Sequence, residues 1–357
     1  MTGVLADSQI RDLIAAGRIA AATPFVDGQV QPASLDLRLG DTAYRVRASF
    51  LPGQANSVAA RLDDLKMHEM PLTGGAVLEK GCVYVVPLME RLSLPVGTTA
   101  AASAKSSTGR LDLMTRVITD QGIEFDRVAD GYDGPLFAEI CPQSFSVLVR
   151  PGQMLTQIIF RQGRTFLDDD ELRALHAQTP IVSDAPVISE GLGFSVDLRA
   201  GEDDLVGYRA KRHTGVIDLD RIGHYPADDF WEEIRTTTGR IILDPGAFYI
   251  LRSREAISIP PDFAAEMAPY VAMAGEFRVH YAGFFDPGFG WAEAGGEGSR
   301  GVLEVRCHEA PFVLDHGQVV GRLVYERMAV RPALLYGRDL KSNYQGQGLK
   351  LSKHFRS

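Results

Sequence analysis

The run Lys105-Ser-Ser-Thr-Gly-Arg110 places two cations, three hydroxyls and a glycine within six residues. That composition suits phosphate oxygens, which take charge-assisted hydrogen bonds from Lys and Arg and further bonds from hydroxyls and backbone N–H groups. It equally suits a solvated helix start capped by Ser106 or Ser107. The run is not G-x-x-x-x-G-K-[ST], and no G-x-G-x-x-G opens a helix, so neither familiar phosphate cradle applies. Glu139 is the second singular feature. Gly134-Pro-Leu-Phe-Ala-Glu-Ile-Cys141 otherwise reads as a buried strand, where a carboxylate is costly without a partner. Such a residue requires a cation, for which Arg110 is the candidate, or a chemical role, since a carboxylate held beside a reacting group is a natural general acid/base. A purely structural Glu–Arg pair is the alternative.

The elements that position these groups come from a chain of 357 residues, long enough for two domains. Hydrophobic residues make up 45% and charged residues 23%, with 36 Gly and 19 Pro, which fits a folded protein with many turns. No apolar run approaches the roughly 20 residues of a bilayer span, and no secretory signal opens the chain, so the expected location is cytoplasmic. Cys82, Cys141 and Cys307 are odd in number and far apart, which predicts buried reduced thiols rather than disulfides or a metal knuckle. A net charge of −9 argues against a nucleic-acid partner, because phosphate-backbone binding wants a basic surface.

The chain repeats itself. Ser34-Leu-Asp-Leu-Arg-Leu-Gly40 recurs as Ser195-Val-Asp-Leu-Arg-Ala-Gly201. Gly81, Tyr84, Glu90, Ser93 and Pro95 then match Gly246, Tyr249, Glu255, Ser258 and Pro260, and Glu139, Gly152 and Gln153 match Glu304, Gly317 and Gln318. Short β-branched or alternating runs predict strands at 83–86, 136–140, 146–149 and 155–160, with partners at 248–251, 302–305 and 319–325. Helix is scarce, and the clearest signals lie at 8–19 and around 168–176. Each half thus reads as a sandwich or barrel: a catalytic module over 1–164, a linker over 165–186, and a second module over 187–357. The halves differ where it matters, since from Ile259 to Gly298 the second contains no Ser, Thr or Lys. The hydroxyl-rich basic cluster exists once.

With Ser34-Leu-Asp-Leu-Arg-Leu-Gly40, Lys105-Ser-Ser-Thr-Gly-Arg110, Asp130-Gly-Tyr-Asp-Gly134, Glu139 and Arg150-Pro-Gly152 in order, the first half resembles the dCTP deaminase branch of the dUTPase-like β-barrel superfamily. Asn343-Tyr-Gln-Gly-Gln-Gly348 is similar to that family's C-terminal segment. The resemblance implies a mainly β fold of two tandem dUTPase-like β-barrel or jelly-roll modules with few short helices. It implies hydrolytic deamination of dCTP to dUTP and ammonia, with Glu139 as general acid/base and Ser106 and Arg110 positioning water and glutamate. Lys105 and Ser107 would meet the triphosphate, the hairpin near Thr119 the base edge, and Asp130 with Tyr132 the deoxyribose. Tyr336, Lys341 and Gln347 would belong to a closing tail; Lys341 substitutes for a family lysine, because Asn343 directly precedes Tyr344 here.

Gln121 to Arg127 is an insertion relative to the family pattern. Magnesium is expected with the substrate triphosphate, and zinc is not, since the H-x-E and P-C-x-x-C motifs of zinc deaminases are absent. Family sites are shared between subunits of a trimer, which implies a homo-oligomer with no membrane or nucleic-acid partner. Two other functions stay open: a dUTP diphosphatase or bifunctional deaminase–diphosphatase, which Asp120, Asp130 and Asp133 would favour, and a non-catalytic nucleotide-binding protein.

Overall fold

The computed structural model describes residues 2–199, 204–269, 277–280, 283–339, 346 and 348–356. The chain divides into two units. Unit 1 comprises 1–165 with 215–222 and 328–333, and unit 2 comprises 166–214, 223–327 and 334–357. The segment expected as a linker therefore belongs to unit 2 from Phe166 onward. Its helix, Asp169–Gln178, starts at a reciprocal capping box between Asp168 and Glu171 and buries Leu172 in that unit's core, together with Ile181 and Val182. Apolar residues spaced along an acidic stretch were enough to dock it.

In unit 1, one sheet orders Lys66–Pro71, Thr42–Val46, Val83–Ser93, Asp133–Pro142 and Leu113–Thr119, with Ile19–Ala21 also on Val83–Ser93. A second joins Gly3–Val4, Met154–Gln162, Thr98–Ala104 and Arg127–Val128, with Leu35–Arg38 also on Met154–Gln162. A third small sheet carries Ile217–Asp218 in parallel on Val147–Val149, and Arg150 binds Asp218 at 2.6 Å and Asp220 at 2.8 Å beside it. The strands run longer than their β-branched cores because ladder pairing recruits flanking residues of weaker propensity. The first helix is shorter than expected, ending at Ala15; Gly17 (φ 70°) turns the chain, and Ile19 joins a strand instead. A helix at Val58–Leu65, unforeseen from sequence, lays Val58 and Leu62 on Val46, Val85, Ile118 and Phe137, covering one face of the first sheet.

In unit 2, one sheet orders Trp231–Arg235, Leu205–Ala210, Phe248–Ile257, Ser299–Cys307 and Phe277–His280; another orders Leu192–Ser195, Val319–Arg327, Phe263–Pro269 and Phe284–Phe285. Local details recur between the units. Tyr84 accepts a hydrogen bond from Glu79 N (3.0 Å) and Tyr249 from Asp244 N (2.7 Å), and Glu139 faces Val85 as Glu304 faces Ile250. The described part of the tail expected to act as a lid packs within unit 2. Tyr225 and Phe355 share a bridge, and the Phe355 ring lies 5.5 Å from Phe230 and 5.8 Å from Trp231. No helix among the described residues is long and apolar enough to cross a membrane. Cys141 and Cys307 are buried thiols outside any disulfide, while Cys82 is half-buried rather than enclosed.

Candidate active site

Glu139 occupies the middle of the Asp133–Pro142 strand, between Val83–Ser93 and Leu113–Thr119. The register places Val85 across from it on one side and Arg116 on the other. Side chains directly opposite in a ladder project to the same face. Arg116 Nη2 accordingly donates to Glu139 Oε1 at 2.5 Å and to Ser49 Oγ at 3.0 Å. Glu139 is 0% exposed, and its Oε2 has no hydrogen-bond partner among the described residues. The cation expected from Arg110 thus comes from Arg116, because Arg110 caps the turn before the strand whereas Arg116 lies in register.

Arg116 is itself held. Its guanidinium carbon lies 3.6 Å from the centroid of the Phe125 ring, an intimate cation–π stack. Phe125 belongs to the 121–127 segment, expected as an insertion, which turns at Gln121 (φ 59°) and Asp126 (φ 61°). The half-buried Asp126 accepts a hydrogen bond from Val117 N at 2.7 Å. Desolvation pushes its carboxyl up to about 7, against the opposing effects of that bond and of Arg116. A raised carboxyl favours the protonated form in the fold, so its contribution to stability is complete below the ordinary carboxylate range and disappears as pH rises from about 4 to about 7. Asp126→Asn keeps the acceptor and tolerates positive φ. Relative to the parent it should gain on the order of 1 kcal/mol between pH 4 and pH 8, after allowance for partial solvent access. Denaturant midpoints at the two pH values measure this, and an equal shift at both would refute the assignment.

The phosphate-suited cluster forms a single turn of helix, Ser106–Gly109, after the Thr98–Ala104 strand. Lys105 is its N-cap, with no side-chain cap bond, so neither serine plays the capping role. Ser106 is exposed, whereas Ser107 and Arg110 are buried. Lys105 pairs with the buried Asp36, the aspartate of the Ser-x-Asp-Leu-Arg motif, which steers its ammonium and leaves it donors for a further oxygen. Within one chain Glu139 bonds to neither Ser106 nor Arg110; its hydrogen bond and ion pair both go to Arg116.

The other expected ligands are scattered. Thr119 is buried three residues from Arg116, so strand alternation turns its side chain to the face opposite Glu139. Asp130 is exposed and accepts from Gly97 N at 2.6 Å. Tyr132 donates to Pro135 O at 2.6 Å and accepts from Asp120 N at 3.2 Å, so its hydroxyl is already engaged, and burial pushes its phenol up to about 12. Tyr336 belongs to unit 2, where its N–H donates to Pro287 O (2.9 Å) and its ring packs 5.6 Å from Phe289. Lys341 and Gln347 lie outside the described residues. Asp120 and Asp133, candidates for a phosphatase, are engaged with Val58 N and with Arg91 and Ser93. Among the described residues no group of three or more His, Cys, Asp or Glu is placed to hold a metal.

Sequence reasoning missed Arg116 and the buried pair of Arg38 with Glu90. Arg116 carried a signal: a charge inside Leu-Met-Thr-Arg-Val-Ile-Thr is as anomalous as Glu139 inside its own strand.

Two family models together cover nearly the whole chain. The model of the 2′-deoxycytidine 5′-triphosphate deaminase N-terminal domain matches residues 1–164, and that of the C-terminal domain matches 168–355. The chain belongs to the dCTP deaminase family. A crystal structure of 2′-deoxycytidine 5′-triphosphate deaminase from Agrobacterium tumefaciens is similar with a TM-score of 0.89 and 54% identity, over 92% of this chain and 99% of that one. Shorter relatives match part of the chain. A dUMP-forming dCTP deaminase of Methanosphaerula palustris is 30% identical over 165 residues, 44% of this chain and 80% of that protein. A dCTP deaminase of Halorubrum lacusprofundi is 29% identical over 44% of this chain and 77% of its own length. The two-domain, mainly β dCTP deaminase fold is thereby shared across nearly the whole chain.

Proposed function

We propose that the chain hydrolyses the exocyclic amine of dCTP, converting dCTP and water to dUTP and ammonia, with Glu139 as general acid/base. The observation that carries this is the carboxylate itself, fully buried, with one oxygen held by Arg116 and the other without a partner among the described residues. Such a group can accept a proton from water as the oxygen attacks C4, deliver one to the ring nitrogen, and return to its starting state as ammonia leaves. Lys105, Ser106, Ser107 and Arg110 form the phosphate- and water-facing side, and magnesium arrives with the triphosphate as part of the substrate. Because the hydrogen bond and ion pair of Glu139 go to Arg116 rather than to that cluster, the reading includes a homo-oligomer in which another copy completes the site, as the family resemblance implies.

A bifunctional enzyme that also releases pyrophosphate is the second reading, favoured by the dUMP-forming relative. Incubation with dCTP and, separately, with dUTP, measuring ammonia and pyrophosphate, separates the two. Ammonia without pyrophosphate is expected from dCTP, and nothing from dUTP. Absence of ammonia would reject the deaminase reading. Glu304→Gln, at the equivalent register in unit 2, should leave kcat within about twofold, since that unit lacks the hydroxyl and lysine cluster. Loss of turnover in folded Glu304→Gln protein would show that unit 2 shares in the chemistry.

A further inference from the structure

The loop from Asp120 to Asp126 is held by polar ties against the strand that carries Arg116. Asp120 Oδ1 accepts from Val58 N at 2.7 Å, Gln121 N donates to Asn56 O at 3.0 Å, and Gly122 O accepts from Gly53 N at 3.0 Å. At the far end Asp126 N donates to Val117 O at 2.9 Å while its side chain takes Val117 N, so the loop closes on the residue beside Arg116. Between these anchors Phe125 packs on the apolar cluster of Val46, Val58, Ile118 and Phe137 and presents its ring to the Arg116 guanidinium. Arg116 then has two fixed acceptors, Ser49 Oγ and Glu139 Oε1.

We propose that this loop is a built-in holder for the proton-transfer group: Phe125 fixes Arg116, and Arg116 fixes Glu139 by one oxygen so that the other alone serves the reaction. Arg116 is a positioning residue, acting through Glu139 without touching substrate. The inference rests on the deaminase reading above. The charged or titratable groups around Glu139 are Arg116 from the neighbouring strand, Asp126 from the loop and Cys141 two residues along its own strand; Val85 on the other side is neutral.

The test compares Arg116→Met, Arg116→Lys and Phe125→Ala with the parent in kcat and KM for dCTP. Arg116→Met should lower kcat about 100-fold with KM within about threefold, because a misdirected carboxylate costs rate rather than binding. Arg116→Lys should recover about tenfold by restoring the charge without the stack, and Phe125→Ala should cost about fivefold. Thermal midpoints supply an activity-free check: Arg116→Met should lower the midpoint more in the parent background than in Glu139→Gln. Folded Arg116→Met with parental kcat overturns the proposal, as does a raised KM at unchanged kcat, which would make Arg116 a substrate contact. A parent protein that releases no ammonia from dCTP instead rejects the underlying reading, so the two failures are distinguishable.

Discussion

Glu139→Gln should reduce dCTP turnover by about 10²–10⁴-fold while dCTP affinity stays within a few-fold of the parent. The amide preserves the shape of a fully buried side chain, and its carbonyl oxygen still accepts the hydrogen bond from Arg116. What disappears is the capacity to take and return a proton at the second oxygen. Ammonia release and equilibrium binding of dCTP measure the two halves separately. The variant also removes a charge from beside Arg116, so its fold must be verified by circular dichroism and by its unfolding midpoint. Turnover near the parental rate in a folded protein would eliminate Glu139 as the acid/base. Lost binding with unchanged turnover at saturation would make it a substrate contact instead.

Glu90→Ala should be among the most destabilising substitutions in unit 1, by about 3–5 kcal/mol, because it strands a buried arginine. Arg38 and Glu90 are 3% and 1% exposed. Glu90 Oε1 accepts from Arg38 Nε at 2.7 Å and from Gln29 Nε2 at 2.8 Å, and its Oε2 takes the backbone N–H of Arg38 at 2.8 Å. Arg38 Nη1 donates to Thr23 Oγ1 and Pro24 O, and its Nη2 to Thr23 O. One carboxylate therefore organises the whole group. The counterpart in unit 2 provides the control. Glu255 accepts from Ser195 N at 2.8 Å and from its Oγ at 2.5 Å, while its cationic neighbour Arg254 is partly exposed and stands 3.9 Å away, beyond hydrogen-bond reach, so Glu255→Ala strands no buried charge and should cost only about 1–3 kcal/mol. Denaturant unfolding followed by probes in each unit compares the two. Equal costs would mean that the Arg38 charge is not what makes Glu90 necessary.

The two carboxylates differ in how legible they were. Glu139 stood out because a charge in an apolar alternating run violates the expectation for a buried strand, and that violation is local in sequence. Glu90 stood out only as a match to Glu255. Its partners Gln29 and Arg38 lie 61 and 52 residues away, and no local pattern connects them. The hydroxyl-rich cluster was legible as composition. Its tie to Asp36, 69 residues distant, was not, although both residues had been singled out separately.

By itself the sequence determined the mainly β class, the family, the repeated order of motifs, most strand centres, and the restriction of the Lys105–Arg110 cluster to the first half. All of these follow from periodicity, turn residues and residue order, which are properties of neighbouring positions. Only the tertiary structure decided which cation meets Glu139, which face Thr119 takes, and where the tail is anchored. Ladder register pairs Arg116 with Glu139 across 23 residues, and a shift of one residue would have turned the arginine to the other face. Phe355 is seated by an aromatic cluster drawn from residues 225–231, more than a hundred positions earlier, through contacts whose partners are chosen by packing rather than by sequence spacing.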